Sequence, residues 1–258
     1  MLRMQTDRSN RPLAAFGAVT VSLCYCALLL DPQTVKWVAD EDRPFEYGGA
    51  MCFALASVMF LWMYCKSLAG NNFAIIRTKR NAFFALLAAV FLFAAGEEIS
   101  WGQRLFNFEV PDIVLAQNLQ NEFNIHNLKI FHTRDEHGVF KSGLHKWLTI
   151  ERMFALFWLG FCVLTPLAYR FITPLRRLIT AINLPVVGLT IGLLFPFNYA
   201  ITKFLESILI GPLEELGYPM IEIKESTFAF LFMLVAWDFV ARHRAANSSS
   251  QIQATQQT

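Results

Sequence analysis

Residues 94–108 read AAGEEISWGQRLFNF. Two adjacent carboxylates, Glu97 and Glu98, come directly after the fifteen-residue apolar run AFFALLAAVFLFAAG, and Ser100, Trp101, Gln103 and Arg104 follow. An ionised side chain at membrane depth is costly and faces a bundle interior or a wet cavity. The pair therefore either lies at the end of a spanning helix, in water, or is carried inward by that helix as part of a polar site. Both readings place the acids at a membrane interface.

Composition supports a membrane. Of 258 residues, 55% are apolar, 14% aromatic and only 16% charged, and the mean hydropathy of +0.40 lies outside the usual range of soluble domains. Hydrocarbon about 30 Å thick needs roughly 20 apolar residues in a helix. Six candidate spans emerge: Leu13 to Leu30, Tyr47 to Leu68, Ala82 into the Glu97 segment, Met153 to Phe171, Leu178 to Tyr199, and the shorter Phe228 to Val240. The expected fold class is all-α, a polytopic membrane protein of about six transmembrane helices in one domain, residues 1–245. Residues 246–258, ANSSSQIQATQQT, have almost no large apolar side chain and predict a disordered polar tail.

Charge gives the orientation. Arg3, Arg8 and Arg11 precede the first span; Lys66, Arg77, Lys79 and Arg80 lie between the second and third; Arg170, Arg176 and Arg177 lie between the fourth and fifth; Arg242 and Arg244 follow the sixth. Basic residues favour the cytoplasmic side, so both termini are expected there, in the inner membrane. The alternate connections carry Asp40, Glu41, Asp42 and Glu46, then Glu206, Glu214, Glu215, Glu222 and Glu225, and should face outward with Glu97. The first span ends in LLLDPQ without a small-x-small cleavage site and reads as an anchor. The five cysteines have no metal or redox spacing and read as apolar fillers. No nucleotide loop or haem-attachment motif is present, and nothing indicates a nucleic-acid partner.

Between the third and fourth spans lies an outer connection of about fifty residues, longer than a plain connector needs. In PDIVLAQNLQNEFNIHNLKIF, Asn118, Glu122 and His126 recur at i, i+4 and i+8 and would share one face of a helix. Glu122 and His126 could then supply two ligands to a divalent metal ion, completed by Glu97 or Glu98; the alternative is a polar face bonded to itself and to water. His132, His137 and His145 are expected to be more exposed and without individual roles. If the third helix continues past Glu98, Glu97, Ser100 and Arg104 share a stripe, and crowded carboxylates there suit general acid–base work. Ser100, Trp101, Gln103, Asn124 and Asn127 are the candidate substrate contacts. Glu222 and Glu225 suit the N-terminal end of the sixth helix, Asp238 pairs with Arg242 at i+4, and Asn183, Pro185, Gly188 and Gly192 predict a kinked or broken fifth span.

GEEISWGQRLF, NEFNIHN and the EDRPFE stretch before the second span together resemble a group of multi-spanning bacterial membrane proteins, a resemblance that covers most of the chain and implies no activity. More distantly, EEISWGQRLF is similar to the first motif of the CAAX-type glutamic membrane proteases. That likeness implies a glutamate that activates water, with Glu97, Glu98 and Arg104 as the carried-over positions. The arginine is displaced, EExxxxxR instead of EExxxR. The later histidine motifs differ as well, with His126 at FxxH and His145 at FxxxxH, and six spans are fewer than the family implies.

The leading expectation is a membrane-embedded hydrolase or transferase acting on a lipid or lipid-linked substrate at the outer face, with Glu97 or Glu98 as base and Arg104 as anion binder. A proton- or ion-coupled transporter built on the same acids and the broken fifth span, and an assembly or interaction subunit, are the alternatives.

Overall fold

The computed structural model describes residues 10–40, 43–71, 77–132, 139–209 and 216–255, apart from the side chains of residues 104, 144–145 and 250–255. Arg3, Arg8, Glu41, Asp42, Glu214, Glu215 and His137 lie outside the described residues, and so do the side chains of Arg104 and His145. The chain is all-helical, with no strand among the described residues. In order come α1 (Arg11–Cys26), α2 (Pro32–Ala39), α3 (Pro44–Lys66), α4 (Ala82–Glu98), α5 (Gln103–Phe106), α6 (Asp112–Leu115), α7 (Ile150–Trp158), α8 (Thr165–Phe171), α9 (Thr173–Ala181), α10 (Leu189–Gly192), α11 (Leu194–Leu209) and α12 (Gly217–Thr255).

Among the described residues, three segments are long and apolar enough to cross a bilayer: Arg11–Leu29, Pro32–Lys66 and Ile150–Phe171. They fit a membrane protein. Helices α4 and α11, with 17 and 16 residues, reach only about 26 and 24 Å at 1.5 Å per residue. Helix α12 is far longer than the expected sixth span; its 39 residues amount to about 58 Å. It also absorbs Ala246–Thr255, assigned by composition to a disordered tail. Extending an existing helix fixes one residue per new bond, and the Ser248 and Ser249 hydroxyls bond back to the Arg244 and Ala245 carbonyls.

The fifth predicted span is broken, as its Asn, Pro and Gly residues suggest. Helix α9 ends at Ala181, Asn183 adopts a left-handed φ of 57°, and no helix resumes until Leu189. The freed backbone finds partners. Asn71 donates to the Ile182 carbonyl at 2.8 Å, Asn81 to the Asn183 carbonyl at 2.8 Å, and Asn183 to Ala69 and Gly70. Between α7 and α8 a π-helical bulge, Leu159–Leu164, precedes Pro166 and relieves the backbone clash a proline makes in a regular helix. Gly192 packs against this bulge so closely that a Cβ would come within 2.0 Å of the Cys162 carbonyl oxygen.

The core lies between α3, α4 and α12, where aromatic rings interleave. Phe91 stacks on Phe60 at 5.5 Å and meets Phe232 at 4.8 Å between centroids, and Phe232 meets Phe195 at 4.8 Å. Helix association in lipid relies on such packing and on hydrogen bonds between helices. The buried Tyr25 hydroxyl donates to Asn198 at 2.9 Å and lies 2.6 Å from the Thr202 hydroxyl, while Thr227 also donates to Asn198. One polar knot thus joins α1, α11 and α12.

The contacts sort the charges by end. At one end Arg242 pairs with Asp238 at 2.8 Å and donates to the Val186 carbonyl, Arg244 lies over Trp62, and the α3–α4 connection is bonded to the α9–α10 connection. This end carries Lys66, Arg80, Arg176 and Arg242. The pair Asp238–Arg242 is buried and anchored to the broken fifth segment, so it is more than the interfacial pair its spacing suggests. At the opposite end Ser226 donates to the Phe45 carbonyl, and Glu98 lies in the field of Glu225, Glu222 and Glu46.

Phe91 is 1% exposed and packs against the rings of Phe53, Phe60, Phe157 and Phe232, so Phe91→Ala is expected to cost about 3–5 kcal/mol. Thermal unfolding in mild detergent checks this; an unchanged midpoint contradicts the packing.

Candidate functional site

Helix α4 does not continue past Glu98. The chain turns at Ile99, and Ser100, Trp101 and Gly102 all take left-handed φ angles of 45°, 53° and 80°. The stripe linking Glu97, Ser100 and Arg104 on one continuous helix therefore does not exist. Left-handed backbone costs a non-glycine residue of order 1–3 kcal/mol, and the turn persists because both residues are held by charged acceptors. Trp101 Nε1 donates to Glu97 Oε1 at 2.6 Å, and Ser100 Oγ donates to Glu122 Oε2 at 2.7 Å. Bonds to a charged partner contribute about 1.5–3 kcal/mol each, enough to offset the strain. The Trp101 ring folds back over Gly96, where a Cβ would lie 3.0 Å from ring carbons.

The helical face expected for Asn118, Glu122 and His126 is also absent. Residues 116–128 form turns, closed by a pairing of Asn118 with Leu128. The amides hold this loop. Asn118 Nδ2 donates to Asn124 Oδ1 at 2.9 Å, Asn124 Nδ2 to Glu122 Oε2 at 2.6 Å, Gln103 Oε1 accepts from the Phe123 amide at 2.6 Å, and Asn127 donates to Gln120. Side-chain amides and carboxylates that satisfy nearby backbone groups favour turns over helix, which is why the i, i+4, i+8 pattern misleads here. Ser100, Gln103, Asn124 and Asn127, expected to contact substrate, direct these polar atoms to the loop itself.

Glu97 joins the two segments. Its buried carboxylate, 6% exposed, accepts from the Ile125 amide at 2.7 Å, the His126 amide at 2.8 Å and Trp101 Nε1, and lies 3.2 Å from His126 Nδ1. A carboxylate can only accept, so Nδ1 is the donor in this contact, and the second ring nitrogen is Nε2. That nitrogen has no partner among the described residues, and the side chain is 35% exposed. A carboxylate behind Nδ1 and a free Nε2 is the arrangement of an oriented general base.

Glu98 differs from its neighbour. No described group donates a hydrogen bond to it, and the charges around it are Glu225, Glu222, Glu46 and Glu97. Glu122 and His126 do not form the expected metal pair, because Glu122 faces Ser100 and Asn124 while His126 faces Glu97. Among the described residues no three His, Cys, Asp or Glu side chains are placed to hold a metal ion. The sequence reading missed His132: its Nε2 is buried without a hydrogen-bond partner among the described residues. Burial, then Lys141 and His126, push its imidazole below the ordinary histidine range, with Glu151 opposing. Only its position six residues after His126, in a loop too long for a connector, could have drawn attention to it.

Comparison with protein-family models, curated proteins and solved structures finds no match.

A histidine held down in the folded state binds its proton less readily than in the unfolded chain, so its contribution to stability is present above the unfolded pKa of about 6.5 and is lost as pH falls below it. Melting in detergent across that range should show a steeper loss toward acid for wild type than for His132→Asn. Identical slopes would contradict the burial of His132 Nε2.

Proposed function

We propose that the chain is a six-helix protein of the cytoplasmic membrane, with both termini inside, that acts at its outer face as a hydrolase or transferase on a lipid or lipid-linked substrate. The observation that carries the reading is the His126–Glu97 pair: a buried carboxylate 3.2 Å behind Nδ1, and Nε2 open to a substrate. His126 Nε2 would take the proton of a water or acceptor hydroxyl as its oxygen attacks an acyl or phosphoryl centre, then return that proton to the leaving alcohol. Glu97 orients the ring and stabilises the imidazolium. Base and orienter are thus assigned to different residues from those the paired-glutamate motif suggests, and Arg104, beside this turn, is the proposed anion binder.

The six-helix count rests on α1, α3, α4, the α7–α8 unit, α11 and α12, which pack as one bundle with basic residues gathered at one end. Short α4 and α11 are accommodated by local thinning of the bilayer at modest cost.

Incubation of the purified protein with a bacterial lipid extract, followed by mass spectrometry of the lipids, should reveal a product. His126→Gln is expected to lower its rate by about 10²–10⁴-fold. A folded His126→Gln variant with full activity contradicts the assignment.

A second reading is favoured by Glu98, a carboxylate that lies among other acids with no donor among the described residues, and by the break between α9 and α10. Both are features of proton-coupled transporters. It predicts pH-driven flux in proteoliposomes that Glu98→Gln abolishes and His126→Gln spares.

A further inference from the structure

The outer connection leaves much apolar surface uncovered. Leu105, Phe106 and Ile113 are 66, 78 and 78% exposed, and Ile130 and Trp147 are more than half exposed. Isolated exposed apolar residues are ordinary, but a contiguous group marks a surface that meets a partner or a membrane. The exposed side of α4 meets the start of this connection at Trp101: Phe93, 43% exposed, packs edge-on against Trp101, 42% exposed, with centroids 5.6 Å apart. Exposed apolar side chains thus run from the end of α4 into the connection that follows it in sequence, with Leu105 and Phe106 next after Trp101.

The other end of the connection behaves alike. Trp147 comes three residues before Ile150, where the apolar segment Ile150–Phe171 begins, and the Arg152 guanidinium lies over its ring at 5.5 Å. Indole with a cation beside it suits the headgroup layer, where one side of the group is apolar and the other meets phosphate. Lys141 donates to the Lys129 and Ile130 carbonyls at 2.8 Å each, tying down the stretch that presents Ile130. Both ends of the connection thus start from the rim of a bundle whose own surface is apolar.

We infer that the outer connection lies within the headgroup layer of the outer leaflet, its occupant phospholipid, with Leu105, Phe106, Ile113 and Ile130 reaching the upper acyl region. Phospholipid fits better than a second protein because these side chains start from the exposed apolar side of α4, reached through the Phe93–Trp101 contact, and because the far end of the connection couples an aromatic ring to a cation. The consequence for the site is depth: His126 Nε2 lies at the level of headgroup and ester bonds, which narrows the substrate class to membrane lipids. The inference rests on the membrane reading and not on catalysis.

Single cysteines replacing Phe106, Ile113 and Ile130 in a cysteine-free background, labelled with an environment-sensitive fluorophore, test it in 3:1 phosphatidylcholine:phosphatidylglycerol vesicles. Leu61→Cys on exposed α3 surface is the lipid control and Ser142→Cys the aqueous one. The three loop positions should be quenched by doxyl-labelled lipid at least twofold more than by aqueous iodide. Quenching by iodide alone overturns the inference while Leu61→Cys upholds the membrane reading, and shielding from both overturns it in favour of a protein partner. A Leu61→Cys label untouched by lipid defeats the membrane reading itself. If the cysteine-free chain does not fold, brominated-lipid quenching of wild type against Trp101→Phe and Trp147→Phe gives the same decision: lost quenching supports the inference, unchanged quenching overturns it.

Discussion

The end of the bundle that holds the Ser100–Gly102 turn depends on one buried carboxylate. Removing Glu97 from water leaves a charge that must be surrounded by donors, since an unpaired ion in a low-dielectric setting costs several kcal/mol. The chain meets that demand with two backbone amides, an indole and an imidazole drawn from two separate segments. The left-handed turn at Ser100–Gly102, the end of α4 and the placement of residues 118–128 all follow from bringing those donors to one point. Glu122 repeats the arrangement on a smaller scale, with Ser100 and Asn124 as donors. Two carboxylates thus hold a polar loop against an apolar helix end.

The same economy governs the interior. Where helices cannot be driven together by water, rings and a few buried hydrogen bonds decide which faces meet. Phe60, Phe91 and Phe232 join α3, α4 and α12, while Tyr25, Asn198, Thr202 and Thr227 fix α1 and α11 against α12. At the basic end the side chains of Asn71 and Asn81 take up carbonyls that the break after α9 leaves free, and the Asn183 side chain bonds back to the α3–α4 connection. That break is tolerated there because its carbonyls are bonded to protein.

Sequence was a good guide where the physics is local or additive. Apolar runs located α1, α3, α4 and the α7–α8 unit, the arginines marked the end they share, and Asn183, Pro185 and Gly188 marked the break. It failed where a charge overrides periodicity. Asn118, Glu122 and His126 have helical spacing, yet their side chains satisfy turns and carboxylates instead of a common face. Ser100 and Trp101 gave no signal of a left-handed turn, because only the contacts with Glu122 and Glu97 make that backbone affordable. The place of Glu97 beside Glu98 at the end of an apolar run was legible; that Glu97 is filled with donors while Glu98 has none among the described residues was not, since it depends on a segment nearly thirty residues away. His132 was passed over because exposure was inferred from loop composition.

Hydrogen exchange followed by mass spectrometry, comparing wild type with Glu97→Ala in detergent micelles, tests the central claim most directly. The account predicts slow exchange at the Ile125 and His126 amides in wild type. In the variant, protection should be lost across residues 118–128, while α3 and the core of α12 keep theirs. Fast exchange at both amides in wild type, or an unchanged pattern in the variant, would contradict the claim that this carboxylate organises the loop over the end of α4.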